Sequence, residues 1–392
     1  MASRREVGVA ARTSLLVLAV LAGRAVADGE PDDSVIIGAD PGWRIEDVQV
    51  RASYFDQRGH GYQSQDGATP GSEFMYMLQP SAVMTVRQNA DIVHQVAVPI
   101  DAITAASPDA VDAMSSASRR NVAFDLDVRS KYKLTEHDTL TSRVMGHGEE
   151  PLGGGLIGLG WQRGLADDNA TVTVNGSLGI DGFDDHDHFG DYLGKTARET
   201  VNLNVSGSQL LSPTTVIDGS YGVTYQHGTL RTGWNAVPTS DDLLTDEILP
   251  RNRTRQAVSV RLAQHVPLTH STVKAWYRFY HDSFGTDAHT IETNAYQYVV
   301  PWLYLRGGYR FHRQDGVDFF TTAIEKPFAS NALRTADSDL APFDAHEWSV
   351  QIATVRGRGP FGVWSFSAEL LRYTRTNDLR ITVGSLAFGR LL

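Results

Sequence analysis

The sequence predicts an all-β protein, a closed antiparallel transmembrane β-barrel of about 16 strands with long outer loops and short periplasmic turns. Three observations lead to this fold class. Apolar and polar residues alternate with a period of two along most of the chain, which is typical of strands with one apolar face. Long and short connections follow one another between these segments. After residue 27 no apolar run is long enough for a membrane-spanning helix, which needs about 20 residues.

The N-terminus has the order of a cleavable secretory signal. Three arginines precede the apolar run 14–23, and the small residues 25–27 follow it. An uncleaved membrane anchor is the alternative, but the apolar run is too short to cross a bilayer. We therefore expect residues 1–27 to be removed, 28–42 to form a short periplasmic segment, and 43–392 to form the barrel.

The composition sets limits on the partners of the chain. No Cys is present, so disulfides, thiolate metal sites and a lipid anchor on Cys are not expected. The formal charge of −11 becomes about −14 without the signal, which carries four Arg and one Glu. This acidic balance, with no basic stripe, excludes a nucleic-acid partner. The expected partners are outer-membrane lipid, the barrel-insertion machinery and small solutes.

Alternating segments account for most of the chain after the signal. In the clearest segment, apolar Phe124 and Leu126 alternate with charged residues. The predicted strands lie at 43–58, 73–89, 91–103, 119–134, 138–147, 154–165, 169–182, 196–211, 214–228, 254–267, 270–283, 288–300, 302–314, 347–357, 362–376 and 379–392. Their number is even, as bacterial single-chain barrels require.

The connections between these segments largely alternate in length. Short turns are predicted at 89–91, 135–138, 166–169, 212–214, 267–270 and 357–362. Long loops are predicted at 59–72, 104–118, 183–195, 229–253 and 321–346. Outer-membrane barrels have short periplasmic turns and longer extracellular loops, so both ends of the barrel domain are expected on the periplasmic side. Two outer connections, 148–153 and 284–287, are shorter than this pattern predicts.

Several phrases resemble a family of proteobacterial outer-membrane proteins that is defined only as a domain of unknown function. They are Ala106-Ser107-Pro108, Leu211-Ser212-Pro213, Tyr277-Arg278-Phe279-Tyr280-His281-Asp282-Ser283-Phe284-Gly285 with Ala288-His289-Thr290, and Tyr309-Arg310 with Asp318-Phe319-Phe320. The resemblance spans residues 43–320. It implies a β-barrel in the bacterial outer membrane, and none of these phrases is a catalytic signature.

If the apolar face of each strand contacts lipid, the opposite face lines the lumen. The predicted pore-lining residues are Arg261, Lys274, Arg278, Arg306, Arg310, Asp125, Asp127, Asp181 and Asp218. Two arrangements of these charges are open. Opposed basic and acidic walls would set up a transverse field across an aqueous channel. Alternatively, the charges pair with one another in a plugged or packed interior.

Two motifs that suggest a cofactor or a metal have simpler explanations. The run 153–158 has the spelling of a dinucleotide-binding turn, but no helix is predicted after it, so we interpret it as a glycine-rich strand and expect no cofactor. Metal-ligand chemistry occurs at Asp185, His186, Asp187 and His188 on a predicted outer loop. A solvated acidic loop also explains these four, because flexible loops rarely give the fixed geometry of a metal site. We predict no metal site and keep them as candidates.

Three hypotheses of function follow. The first is a pore or channel that passes or binds small hydrophilic solutes. The second is a non-conducting barrel that serves as a docking or assembly component, with loops 229–253 and 321–346 performing the recognition. The third is an outer-membrane hydrolase, but the sequence has no G-x-S-x-G and no H-E-x-x-H motif. We therefore predict that the protein is not an enzyme.

Overall fold

A computed structural model of the protein describes residues 42–59, 75–106, 122–149, 152–189, 191–231, 236–241 and 243–392. The predicted signal sequence and almost all of the predicted periplasmic segment lie outside the described residues, as do Ser107 and Pro108 of the family phrases. Within the described ranges, no helix is long and apolar enough to cross a membrane.

The strands of the described chain form one closed barrel and one small additional sheet. They are β1 (Arg44–Arg58), β2 (Met75–Arg87), β3 (Ile92–Ala106), β4 (Val122–Lys133), β5 (Asp138–Glu149), β6 (Leu152–Leu165), β7 (Ala170–His186), β8 (Tyr192–Ser212), β9 (Thr215–Gly228), β10 (Ala236–Pro238), β11 (Leu244–Asp246), β12 (Asn252–Val266), β13 (Ser271–Asp282), β14 (Asp287–Val300), β15 (Leu303–Gln314), β16 (Phe343–Thr354), β17 (Trp364–Arg375) and β18 (Arg380–Leu391). Sixteen strands pair antiparallel in chain order, and β1 pairs with β18 to close the barrel. The hairpin β10–β11 lies apart from the wall, between β9 and β12. The predicted fold class is confirmed.

Each predicted segment corresponds to one strand of the barrel, with ends that differ by a few residues. The largest departure is in the predicted long loop 183–195, because β7 continues to His186 and β8 begins at Tyr192. The prediction of a long loop was wrong because the two strands keep pairing, with Asp184 opposite Lys195. Backbone hydrogen bonds sustain a hairpin beyond the apolar segment even where the side chains are polar.

The connections at the two ends of the barrel differ in length. The end that holds both Arg44 and Leu391 has the turns 88–91, 134–137, 166–169, 213–214, 267–270, 301–302 and 355–363. The opposite end has the two long described loops, 229–251 and 315–342. It also has the short connections 150–151, 187–191, 283–286 and 376–379, so the predicted alternation holds for only some of the outer loops.

Side chains alternate between the two faces of the barrel wall. In β12, Val258, Val260 and Leu262 have exposed fractions of 47%, 45% and 43%. Between them, the Ser259 hydroxyl lies 2.7 Å from the Ser220 hydroxyl of β9 on the inner face. An apolar outer band around a polar interior is the pattern of outer-membrane barrels, since lipid can contact only the outer band. The described wall therefore has the architecture of a transmembrane barrel of the outer-membrane type.

Aromatic rings cluster on the outer face near the periplasmic end of β17 and β18. The ring centroids of Trp364 and Phe388 are 4.8 Å apart, and those of Phe366 and Phe388 are 5.0 Å apart. The Arg390 guanidinium lies 4.9 Å from the centroid of the Trp364 ring. Aromatic girdles of this kind mark the membrane–water interface of outer-membrane barrels, and a cation over an aromatic face is stabilised there.

The inner face also carries one apolar cluster, near the extracellular ends of β1, β2 and β18. Its buried members are Phe55, Met75, Met77, Leu379 and Ile381. Met75 and Ile381 have exposed fractions of 0% and 2%, so side chains rather than water fill this part of the barrel mouth. The apolar cluster therefore occupies the mouth beside β1, β2 and β18, and the polar part of the lumen lies next to the other strands.

Candidate functional site

The nine predicted pore-lining residues lie on the inner face of the wall. They belong to β4 (Asp125 and Asp127), β7 (Asp181), β9 (Asp218), β12 (Arg261), β13 (Lys274 and Arg278) and β15 (Arg306 and Arg310). Arg261, for example, lies between the outward-facing Val260 and Leu262. Their position opposite the apolar face agrees with the alternation in the sequence. That they line a conducting path stays a prediction.

Most of these charges pair with opposite charges nearby. The pairs are Arg261 with Asp218 at 2.8 Å, Arg198 with Asp181 at 3.2 Å, Arg143 and Arg129 with Asp127 at 2.8 and 2.9 Å, Arg306 with Glu369 at 2.5 Å and Arg310 with Glu347 at 3.7 Å. Asp125 contacts the Nδ1 atom of His147. The charges pair locally along the wall, mostly with residues outside the predicted set, and whether the interior is open or packed stays a prediction. Close pairs of opposite sign weaken a transverse field, because their fields largely cancel at a distance.

Two of the predicted cations contact aromatic rings instead. Lys274 Nζ lies 4.9 Å from the ring centroid of Tyr296, and the Arg278 guanidinium carbon lies 5.6 Å from that of Tyr280. A ring attracts a cation through its quadrupole but does not neutralise it. These two ring contacts therefore do not balance the positive charges of Lys274 and Arg278 on the inner face.

A recess of about 300 Å³ lies in the inner wall across β7, β8, β9, β12 and β13. It is bordered by the hydroxyl side chains of Thr171, Ser206, Ser208, Ser220 and Ser259. The Asp218–Arg261 pair and Trp276 complete the lining. Hydroxyl groups both donate and accept hydrogen bonds, so they can replace water around a polar solute. This part of the lumen has a hydrophilic lining with little net charge.

The two long outer loops pair with each other. We call residues 236–241 and 243–250 of the first loop, together with residues 315–342 of the second, the cap. Ile248 and Arg334 exchange two backbone hydrogen bonds, each 3.0 Å long, between these two segments. A parallel bridge joins Thr239 to the second segment as well. The cap is therefore one structural unit built from two loops that are distant in sequence.

Polar side chains are buried inside the cap and form hydrogen bonds with one another and with the backbone. Glu247 and Thr335 have exposed fractions of 2% and 0%, and the Thr335 hydroxyl donates to Glu247 Oε1 at 2.5 Å. The Arg334 guanidinium donates to the backbone carbonyl of Asp246 at 2.8 Å. It also lies 4.9 Å from the ring centroid of Phe328. Specific buried hydrogen bonds of this kind favour a single arrangement, because alternatives would leave more polar groups unpaired.

Inward-facing side chains of β15 and β17 hold the cap against the wall. Arg375 forms an ion pair with Asp339 of the cap. The Gln314 side-chain amide donates to the backbone carbonyls of Asp339 and Ala341 at 2.9 and 2.7 Å. Because Arg375 and Gln314 belong to the inner face, residues 315–342 fold into the barrel mouth.

A second anchor of the mouth is centred on Asp282. Its side chain is 0% exposed and pairs with Arg253. It also accepts the Tyr280 hydroxyl at 2.6 Å and the backbone N–H groups of Phe284 and Thr286 at 2.9 and 3.2 Å. This set of donors fixes the short connection between β13 and β14.

The same connection contacts the cap through Phe284 and Gly285. The ring centroids of Phe284 and Phe319 are 5.2 Å apart, and the Arg253 guanidinium lies 4.4 Å from the Phe284 centroid. Gly285 has φ of +90°, and a Cβ atom there would lie 2.2 Å from a carboxylate oxygen of Asp318. Glycine is needed at this position both for the backbone angle and for the close approach.

The four candidate metal ligands have separate partners. Both oxygens of Asp185 accept from Arg231 at 2.8 Å, and His188 Nδ1 lies 2.6 Å from Asp246. Asp187 Oδ1 accepts backbone N–H groups at 2.9 and 2.8 Å, and His186 is 1% exposed. In the part of the chain that the structure describes, no three such side chains are grouped as metal ligands.

The sequence was compared with protein families. Residues 161–389, more than half of the chain, match the family described as Protein of unknown function (DUF3570). The chain belongs to this family. The resemblance noted in the sequence is confirmed, and its phrases from Leu211 onward lie inside the matched residues. No curated protein matches the sequence.

Several solved barrels are similar in architecture to this family member. A BenF-like porin from Pseudomonas fluorescens Pf-5 has 9% identity and a TM-score of 0.45, with 89% of this chain and 99% of that chain covered. The outer membrane protein OprD from Pseudomonas aeruginosa has 10% identity and a TM-score of 0.45, with coverages of 91% and 96%. A bacterial polysaccharide outer membrane secretin has 7% identity and a TM-score of 0.48, with coverages of 88% and 98%. Likenesses this distant concern architecture only.

Sequence reasoning misses the residues that hold the cap of this family member. Arg253 and Arg375 follow the inward period of their strands, so the alternation could have placed them on the inner face. Their roles are different, because Asp339 lies in a loop with no periodic signal and is distant from the strand that it contacts. Only the length of loop 315–342 indicated that this segment has a structure of its own.

Proposed function

We propose that the barrel is a pore that passes or binds small hydrophilic solutes. The observation that supports this most directly is the solvation of the inner wall. The Arg261–Asp218 pair retains side-chain exposures of 50% and 24% although both residues face the interior. A packed interior would remove water from such a pair, as it does from Asp282 in the cap region.

The dimensions of the fold agree with this proposal. A barrel of 16 strands is wide enough to enclose an aqueous channel. The cap narrows the extracellular mouth, and the hydroxyl-lined recess lies further down the wall. A solute that enters from outside would pass the cap before it reaches this hydroxyl-rich lining.

Planar-bilayer recording of the refolded protein in potassium chloride tests the pore directly. We expect steady conductance steps, and liposomes that contain the protein should take up small sugars. A shortened variant, with residues 320–336 replaced by a short glycine-serine linker, should conduct several times more current because the mouth is wider. A barrel that folds correctly but is silent both with and without this segment would contradict the proposal.

Docking through loops 229–253 and 321–346 is a second candidate function. The two backbone hydrogen bonds between Ile248 and Arg334 count against it, because they commit the loops to each other. A partner would have to bind the outer surface of the assembled cap. That the protein is not an enzyme stays a prediction.

A further inference from the structure

A row of arginines lies on the inner face next to the cap. It consists of Arg198 on β8, Arg253 and Arg255 on β12, Arg278 on β13, Arg310 on β15 and Arg375 on β17. The row extends around the part of the wall that carries the anchors of the cap, because Arg253 and Arg375 are anchors themselves. A solute that passes the cap would meet these guanidinium groups first.

Four of the six arginines have carboxylate partners. The pairs are Arg198 with Asp181, Arg253 with Asp282, Arg310 with Glu347 and Arg375 with Asp339. Arg255 and Arg278 differ from the other four. Among the described residues, neither forms an ion pair within 4.0 Å.

The surroundings of Arg255 leave its charge unbalanced. Arg198 and Arg253 are near enough to repel it, and the carboxylate that acts on it is Asp282. That carboxylate already accepts from Arg253, Tyr280 and two backbone N–H groups. The Arg255 Nε atom is buried and has no hydrogen-bond partner in the described part of the chain. The Arg255 side chain is only partly exposed, and a bound anion stabilises a poorly solvated cation that has no carboxylate of its own.

Arg278 lies in a similar environment one strand away. The positive charge of Arg310 is near enough to repel that of Arg278. The aromatic contact of the Arg278 guanidinium among the described residues is with the ring of Tyr280. In the register of β12 and β13, Arg255 stands opposite Asp282 and Ser259 stands opposite Arg278, so Tyr280 lies between the levels of the two arginines along the wall. Ala257 stands opposite Tyr280 in the β12–β13 register, so the facing position carries only a methyl group.

We propose that Arg255 and Arg278, with Tyr280 between them, form a binding site for a small carboxylate- or phosphate-bearing solute. This inference rests on the proposed pore function and names the solute class. Guanidinium groups donate paired hydrogen bonds to the oxygens of both kinds of anion. Uncompensated cations in a narrow lumen also raise the local anion concentration.

Block of the chloride current by added inorganic phosphate or citrate tests the site. The wild-type barrel should prefer anions in a salt gradient and show block that saturates with probe concentration. The variants Arg255→Gln and Arg278→Gln should bind the probes roughly ten- to hundredfold more weakly, since each removes charged hydrogen bonds. Arg255→Lys should retain the anion preference and part of the binding.

Arg313→Gln is the matched control. Arg313 lies on β15 near the same end of the barrel, but it faces outward with 65% of its side chain exposed. The Arg313→Gln substitution removes the same unit charge from the outer face of the wall, so the block of the current by phosphate should not change. Heat-dependent gel mobility checks that all variants are folded.

Calorimetric titration of the same probes into the refolded barrel in micelles separates the two proposals. Phosphate binding that is lost in Arg255→Gln and Arg278→Gln supports the site even if no current is seen. A barrel that conducts but binds both probes as tightly in the variants as in the wild type keeps the pore and overturns the site. Equal, weak binding in every protein overturns it as well.

Discussion

The barrel wall and the cap are held together in different ways. In the wall, β12 pairs with β9 on one side and β13 on the other through its whole length, and its side chains need only alternate. In the cap, order depends on single contacts such as Arg375 with Asp339 and Glu247 with Thr335. The wall therefore depends on a pattern, whereas the cap depends on the identity of a few residues.

The physical reason for this difference is the solvent. Inside the bilayer every backbone polar group must bond within the protein, so the closed ladder forms whichever polar residues face the lumen. At the mouth, water can satisfy the backbone of a loop equally well. The order of the cap therefore depends on a few backbone hydrogen bonds between its two segments and on buried side chains such as Glu247 and Arg334 that have partners in the other segment.

The largest effect is expected where the mouth depends on one buried pair. Arg253→Gln leaves the buried carboxylate of Asp282 without its cation, which should cost about 3–5 kcal/mol of local stability. Hydrogen exchange of the backbone amides of residues 282–286 and of the cap measures this loss. Arg261→Gln, the same change lower on β12, should cost less than about 1 kcal/mol because its pair with Asp218 is solvated. If the backbone amides are equally protected from exchange in Arg253→Gln and Arg261→Gln, the mouth depends on single residues no more than the wall does.

A smaller effect is expected from breaking the pattern of the wall. Leu203→Arg places a charge on the lipid face of β8, where Leu203 is 51% exposed, and should cost about 2–4 kcal/mol. Asn204→Arg, at the next position, points into the lumen and should be tolerated. Denaturant titration of both variants refolded into lipid vesicles compares their free energies of unfolding. If both are tolerated equally, the assignment of the two faces is wrong.

The same contrast explains what the sequence could predict. Alternation such as Val260–Arg261–Leu262 is a local signal, so it predicts both the strand and the face on which Arg261 lies. The pairing of Arg375 with Asp339 depends on how a long loop folds back, and no local pattern encodes it. Residues 185–188 are an example in which sequence predicts too much. Their metal-ligand side chains can be recognised in the sequence, but the residues that they contact instead, Arg231 and Asp246, cannot. That Arg255 lacks a carboxylate became visible only when its neighbours were in place.

The smallest effect is expected where the cap contacts the extended β7–β8 hairpin. Burial by itself raises the pKa of Asp246, but hydrogen bonds from the side chain and backbone N–H of His188, at 2.6 and 2.9 Å, hold the pKa below its ordinary value of 3.8. A lowered folded-state pKa means that this contact stabilises the cap above the unfolded-state pKa and that the stabilisation is lost as the pH falls through the folded-state value.

Acidification below pH 3.8 should therefore loosen the hairpin β10–β11, and faster hydrogen exchange at residues 244–248 measures this change. The effect should be modest, because 39% of the Asp246 side chain remains exposed. Asp246→Asn should exchange faster already at neutral pH and lose the acid response. If the wild-type hairpin keeps its protection in acid, the backbone bonds between Ile248 and Arg334 are sufficient to hold it. At this one edge, the order of the cap, like that of the wall, would then not depend on single side chains.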